Sequence, residues 1–245
     1  MINNKMELPK IKTRLEVKNK ADGETAELYL YGTIRQASWY DEDDFFISSK
    51  QVKDKVMGLK GKNINVHINS NGGDVFESIA ICNLLKQHDG EVNIYIDAMA
   101  GSGASIIATA GKSVYMYDNS MQMVHKAWTI ALGNADELRK LAVDLDKIDA
   151  AVKASYMSKF VGTEEELETL IADESYLTAE ECFAFGLCTE IIKDTSEEDV
   201  KPQANTKESL FVKYQKSIEA KKADEPKTAL LNRFKNKNQE VIKKC

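Results

Sequence analysis

Histidine is scarce in this chain: its 245 residues hold only His67, His88 and His125. The four cysteines, Cys82, Cys182, Cys188 and Cys245, form no CxxC pair and have no histidine-rich neighbourhood. Together these shortages argue against a structural zinc site. Three of the cysteines lie in apolar stretches and read as buried thiols, which fits a reducing cytoplasm rather than a disulfide framework. Long hydrophobic runs are missing as well: none approaches the roughly 20 residues of a membrane span. The first 25 or so residues, rich in Lys, Asn and Glu, lack the apolar core of a secretory signal. The expected location is therefore cytoplasmic, with no membrane partner. Basic charge is short where a nucleic-acid binder needs it. The net charge is −6, with −9 over residues 1–193 and +3 over residues 194–245. An acidic main body gives no electrostatic support for nucleic-acid binding, and the basic end reads as a solvated arm. No GxxxxGK[ST] phosphate loop is present.

What remains is ordinary globular material, 43% hydrophobic and 29% charged, enough for one sizeable domain and an extension. Residues 1–24 are polar, with Pro9 and Gly23, and read as a loosely held arm. Residues 25–193 alternate strand and helix. Strands are predicted over Ala26–Ile34, Asn63–Asn69, Glu91–Ile96, Ser113–Tyr117 and Met121–Ala127, with a short one within Leu187–Ile192. Helices are predicted from Ser48 or Ser49 to about Leu59, and over Val75–Gln87, Glu164–Ala172 and Ala179–Phe185. A tight loop, Ser70–Asp74, separates one such strand from its helix. The alternation argues for an α/β unit with largely parallel strands. Asn134–Phe160 is the longest predicted helix, roughly 40 Å at 1.5 Å per residue. Asn134 and Glu137 form its capping box, and Leu138, Leu141, Leu145, Ile148 and Val152 make one apolar stripe. Part of it is expected to project and pack on another subunit. From residue 194 the composition turns to Lys, Asn and Pro, a linker and tail in which 210–220 and 228–237 form transient helices.

The stretch with chemical promise is Ile96–Gly111, IDAMAGSGASIIATAG. Ser102 lies between two glycines where a strand hands over to a helix. There its hydroxyl is exposed beside helix N-terminal amides that favour negative charge, as acyl transfer requires. Ser102 or Ser105 merely capping a buried helix is the plainer alternative. A nucleophilic serine needs a base. His67 is inside a strand and reads as structural, His88 is at a helix end, and His125 ends an apolar run from which it can reach a cleft.

Four segments in order, INSNGG (68–73), AMAGSGASIIATAG (98–111), MVH (123–125) and YLTAEECFAFGL (176–187), resemble the motifs of the Clp protease proteolytic subunit (ClpP, peptidase family S14). GNADELRKLAVDLDKI, residues 133–148, is similar in style to the phage and prophage head-maturation (prohead) branch. The likeness spans about residues 26–193. It implies an α/β, crotonase-type fold of repeated ββα units, with a long handle helix and a flexible C-terminal tail. It implies a serine endopeptidase with Ser102 as nucleophile and His125 as base. The oxyanion donors it implies are the Gly73 and Gly103 amides, and Asn71 stands where the family usually has proline. The third member falls on Glu174, with Asp173 beside it as the alternative. No cofactor or metal is implied, and any ATP-driven unfolding would belong to a separate chain. The implied partners are further copies of the chain in a ring, stacked heptamers being usual, and protein substrates such as phage scaffold or capsid proteins. The implied setting is the host cytoplasm or the prohead. A crotonase-fold acyl-CoA enzyme, or a catalytically silent ring or capsid-assembly component, are the competing readings.

Overall fold

The computed structural model describes residues 11–37, 46–193, 210–216 and 218. Among them, the body opens with strands β1 (Arg14–Asn19) and β2 (Thr25–Ile34). Three strand–helix pairs follow: α1 (Ser49–Met57) before β3 (Asn63–Gly73), α2 (Val75–Lys86) before β4 (Val92–Gly101), and α3 (Gly103–Ala108) before β5 (Ser113–Tyr117). Next come β6 (Met121–Val124), α4 (Ala135–Met157), α5 (Glu164–Ala172), β7 (Ser175–Thr178), α6 (Ala179–Ala184) and β8 (Glu190–Ile192). Helix starts are written into the sequence. Ser48–Gln51, Asn134–Glu137, Thr163–Glu166 and Thr178–Glu181 each close a reciprocal capping box, which satisfies orphan amides at the first turn. Among the described residues no helix is long and apolar enough to cross a membrane.

The sheet runs β1-β2-β3-β4-β5-β8, parallel from β2 onward. Its path forks at β4. The first half of that strand pairs with β5, Asn93 to Ile96 against Ser113 to Met116. The second half pairs with β6, Met99↔Met121 to Gly101↔Met123. Strand β7 then runs antiparallel on β6. Alternation along the strands builds the core on one face: Ala26, Leu28 and Leu30 of β2, Ile64 and Val66 of β3, Ile94 and Ile96 of β4 are buried. Each such aliphatic side chain contributes roughly 1.5–3 kcal/mol.

The polar-arm reading of residues 1–24 is corrected over Arg14–Asn19, which is the antiparallel edge strand. High charge masked a period of two. Leu15 and Val17 pack on the core, while the Arg14 guanidinium lies 3.7 Å from the Tyr29 ring centre on the other face. The supposed tight loop at Ser70–Asp74 is also corrected. Strand β3 continues through it to Gly73, because Thr33↔Gly72 and Ile34↔Gly73 prolong the ladder. Of the residues assigned to a flexible tail, 210–216 are helical. Leu210 and Ile218 are buried, and Phe211 meets Phe185 edge-on with ring centres 6.0 Å apart. The helix expected over 228–237 lies outside the described residues.

The opposite face of the sheet carries half-buried rings in cross-strand register: Tyr29, His67, Tyr95 and Tyr115, stacked at 4.7, 5.1 and 4.7 Å. His67 also sits between two carboxylates, with Nε2 2.6 Å from Glu27 and Nδ1 3.0 Å from Asp97. Burial opposes its charge, but Asp97 and Glu27 outweigh burial and hold the ring above its ordinary 6.5. A raised folded-state pKa stabilises the fold below pH 6.5, and that gain disappears as pH rises through the raised value. His67→Phe keeps the stack and removes the ring from both carboxylates, leaving Glu27 to Lys20 and Asn65 and Asp97 to the Tyr31 hydroxyl. Its expected cost is about 1–2 kcal/mol near pH 6, allowing for partial exposure, shrinking toward pH 9. Urea melts across that range check it, and a cost that grew with pH would contradict the pairing.

Candidate active site

Ladder register brings the candidate residues together. Gly101 of β4 pairs with Met123 of β6, so Ser102, one residue on, and His125, two residues on, leave the sheet near each other. The Ser102 amide donates to the Met123 carbonyl at 2.8 Å. On the other side of β6 the last pair is Val124↔Ser175. One step beyond stand His125 and Glu174, whereas Asp173 is a further step away, in the turn that ends α5. Ser70↔Ala100 likewise brings the end of β3, with its glycines, alongside Ser102.

His125 Nε2 lies 2.6 Å from Ser102 Oγ. The imidazole is half-buried, and burial draws it below its ordinary 6.5 against the upward pull of Glu174 and Asp149. Burial thus favours the neutral ring beside the Ser102 hydroxyl. Ser102 holds φ 51° and ψ −123° before α3, a conformation that costs a non-glycine residue on the order of 1–3 kcal/mol. Among the described residues the other non-glycine position with positive φ is Glu174, at 50°. The two strained residues thus flank the same imidazole. Glu174 and Asp173 are both exposed, and Asp173 caps the C-terminus of α5.

Ser105 is fully buried. Its hydroxyl donates to the Ser102 carbonyl at 2.6 Å and meets the Tyr156 hydroxyl at 2.7 Å. It props the serine turn from behind and faces no solvent. His88 bonds the Lys62 carbonyl at 2.7 Å, at the start of β3, the far end of the sheet from Ser102. His67 is held in its carboxylate pair.

Gly73 and Gly103 are neighbours across the turn. A Cβ on Gly103 would overlap Ser78 Oγ, lie 2.9 Å from Ser78 Cβ and approach Gly73 N to 3.6 Å. A Cβ on Gly73, where φ is +147°, would overlap the Ile34 carbonyl. Glycine is needed at each position by a different neighbour, Ser78 of α2 against Gly103 and the end of β2 against Gly73. As the first residue of α3, Gly103 has an amide with no partner inside the helix. Around these groups opens a cleft of about 640 Å³, floored by Ile106 and walled by Leu141, Leu145 and Ile148 from the α4 stripe. Among the described residues there is no group of three or more His, Cys, Asp or Glu side chains placed to hold a metal ion.

Three contributors escaped sequence reasoning: Ser78, which Gly103 packs on, Tyr156 behind Ser105, and Asp149 beside the histidine segment. Asp149 had a signal, since a carboxylate four residues after Leu145 and three before Val152 borders an otherwise apolar stripe.

These features define an α/β protein whose parallel sheet ends in a serine–histidine pair beside a glycine cradle. A family model described as Clp protease matches residues 48–195, and the chain belongs to that family of serine peptidases. It is also similar to the ATP-dependent Clp protease proteolytic subunit of Ligilactobacillus salivarius (strain UCC118), 25% identical over 193 residues. That match covers 67% of this chain and 96% of the relative.

Proposed function

We propose that this protein is a serine endopeptidase of the ClpP type in which Ser102 attacks, His125 is the base and Glu174 orients the imidazole. The observation that carries the reading is the 2.6 Å approach of His125 Nε2 to Ser102 Oγ. His125 takes the Ser102 proton as Oγ adds to a peptide carbonyl. The Gly73 and Gly103 amides hold the oxyanion. The imidazolium returns its proton to the leaving amine, and water, activated by the same ring, releases the acyl-enzyme. Treating the wild-type protein with a fluorophosphonate and mapping the adduct by mass spectrometry is the direct test. An adduct on Ser102 is expected, and its absence from a folded protein would remove the reading.

Glu174 is favoured over Asp173 by ladder position, by strain and by its charge on His125. Glu174→Ala is expected to lower kcat by roughly 100-fold to 10,000-fold, and Asp173→Ala by less than about threefold. The reverse order in steady-state assays would move the role to Asp173.

The working form on this reading is a homo-oligomeric ring. Its support is the strand-like alternation after the site, where Trp128, Ile130 and Leu132 stand 65, 86 and 99% exposed. A monomeric native mass would remove this part. The substrates are scaffold or capsid proteins of an immature phage head, a reading supported by the style of residues 133–148. Incubating unprocessed scaffold with wild type and Ser102→Ala tests it, and scaffold left intact by active enzyme would refute it.

A further inference from the structure

We infer that Asp149 of α4 is a positioning residue for His125: its carboxylate clamps the main chain two residues beyond the imidazole. The inference rests on the peptidase reading above and extends it to a residue outside the nucleophile, base and orienter.

His125 has an anchored approach and a loose exit. Upstream it follows β6, which is bonded on both sides. Downstream, residues 125–134 form no helix or strand before α4 begins. A histidine at the edge of such a segment owes its ring position to whatever ties the chain next. That tie is the Ala127 amide, which donates to Asp149 Oδ1 at 2.7 Å. Hydrogen bonds to an ionised acceptor are among the stronger ones in proteins. The acceptor is itself well founded. Asp149 is half-buried, one turn before Val152, which is buried on the core along with Tyr156. Tyr156 in turn holds Ser105 beneath the serine turn. Helix α4 therefore grips both sides of the reacting pair, the serine turn through Tyr156 and the histidine segment through Asp149.

The carboxylate acts by charge as well as by position. Asp149 and Glu174 both favour the protonated ring, from α4 and from the start of β7 respectively. Asp149 lines an open cavity of about 600 Å³ behind His125, whose other charged residues are Lys126, Asp146, Lys153, Glu165, Glu168 and Asp173. Lys153 is engaged by Glu164 and Glu168 at 2.5 and 2.6 Å, and the Ala127 amide is on Asp149.

Two variants separate position from charge. Asp149→Asn keeps an oxygen for the amide and removes the charge. Asp149→Ala removes both. For Asp149→Ala, kcat on a fluorogenic peptide is expected to fall about 10-fold to 100-fold with KM changed little, the usual penalty for a reacting group displaced by a fraction of an ångström to an ångström. Asp149→Asn is expected to recover most of that loss, while the acid limb of its kcat/KM profile moves to lower pH because a neighbouring negative charge is gone. Wild-type kcat in Asp149→Ala, or an acid limb unmoved in Asp149→Asn, overturns the inference. If Asp149→Ala does not fold, the acid limb of Asp149→Asn decides alone. Fluorophosphonate labelling of wild-type Ser102, run alongside, keeps the two failures apart: no labelling sinks the peptidase reading, and labelling with indifferent Asp149 variants sinks only this one.

Discussion

Ser102→Ala is expected to abolish peptide hydrolysis, by on the order of 10⁵-fold or more, and to leave the fold intact. Among the described residues the hydroxyl's close partner is His125 Nε2 at 2.6 Å, and it makes no side-chain cap bond to α3. Its loss therefore breaks no structural bond apart from that one. The backbone strain at φ 51° stays in the alanine variant, because alanine dislikes that conformation as much as serine does. Ser102→Gly relaxes it, so the glycine variant is expected to be as inactive as the alanine variant and to melt no lower. Ser105→Ala is the contrasting case. It strips hydrogen bonds to the Ser102 and Met123 carbonyls and to Tyr156, and is expected to cost about 1–3 kcal/mol of stability. Thermal melts beside peptide assays separate the pair. Hydrolysis surviving in Ser102→Ala while lost in a folded Ser105→Ala would exchange their roles.

Gly73→Ala has the second large expected effect, and it strikes stability and activity together. At φ +147° an L side chain is strained before any neighbour is considered. The new methyl would also overlap the Ile34 carbonyl, which accepts the Asp74 amide at 2.8 Å. Either the end of β2 withdraws or the Gly73 peptide turns. A combined cost of about 2–5 kcal/mol follows from strain and overpacking. On the reading proposed above, the turned amide leaves the oxyanion, worth roughly 100-fold to 1,000-fold in kcat. Urea unfolding and steady-state kinetics on one preparation measure both. A variant with wild-type stability would mean that the approach of Gly73 to β2 is looser than described, and wild-type kcat would free its amide of the role.

Much of this architecture was readable before any coordinates. Alternating apolar residues in AELYLYGTI and NINVHIN announce strands with one buried face, and Asn134 with Glu137 announces the start of α4. Such signals are local, and local rules govern them. Strand β1 hid because its outward residues are nearly all charged, and a ladder to β2 rather than composition made it a strand. The fork at β4 was invisible for a different reason. One strand with two successive partners has no signature in its own residues, because each half pairs with a different strand further along the chain. The left-handed conformations of Ser102 and Glu174 break the rule that would predict glycine there, and rules of local propensity fail most often where strain serves chemistry. Asp149 is the remaining case. Its place beside the apolar stripe was legible, but its partner is a backbone amide 22 residues away, which that placement does not identify.

Among the described residues the β6–β7 ribbon pairs with the rest of the sheet at three positions on β4, Met99 to Gly101. A seam so narrow is a natural place for partial opening. On the reading proposed above, lifting it would carry His125 and Glu174 away from Ser102 in one movement while the wide parallel array stayed whole. If that reading holds, peptide hydrolysis would therefore fade on warming before the fold melts and return on cooling, much as a lock fails when its bolt drops though the door still stands.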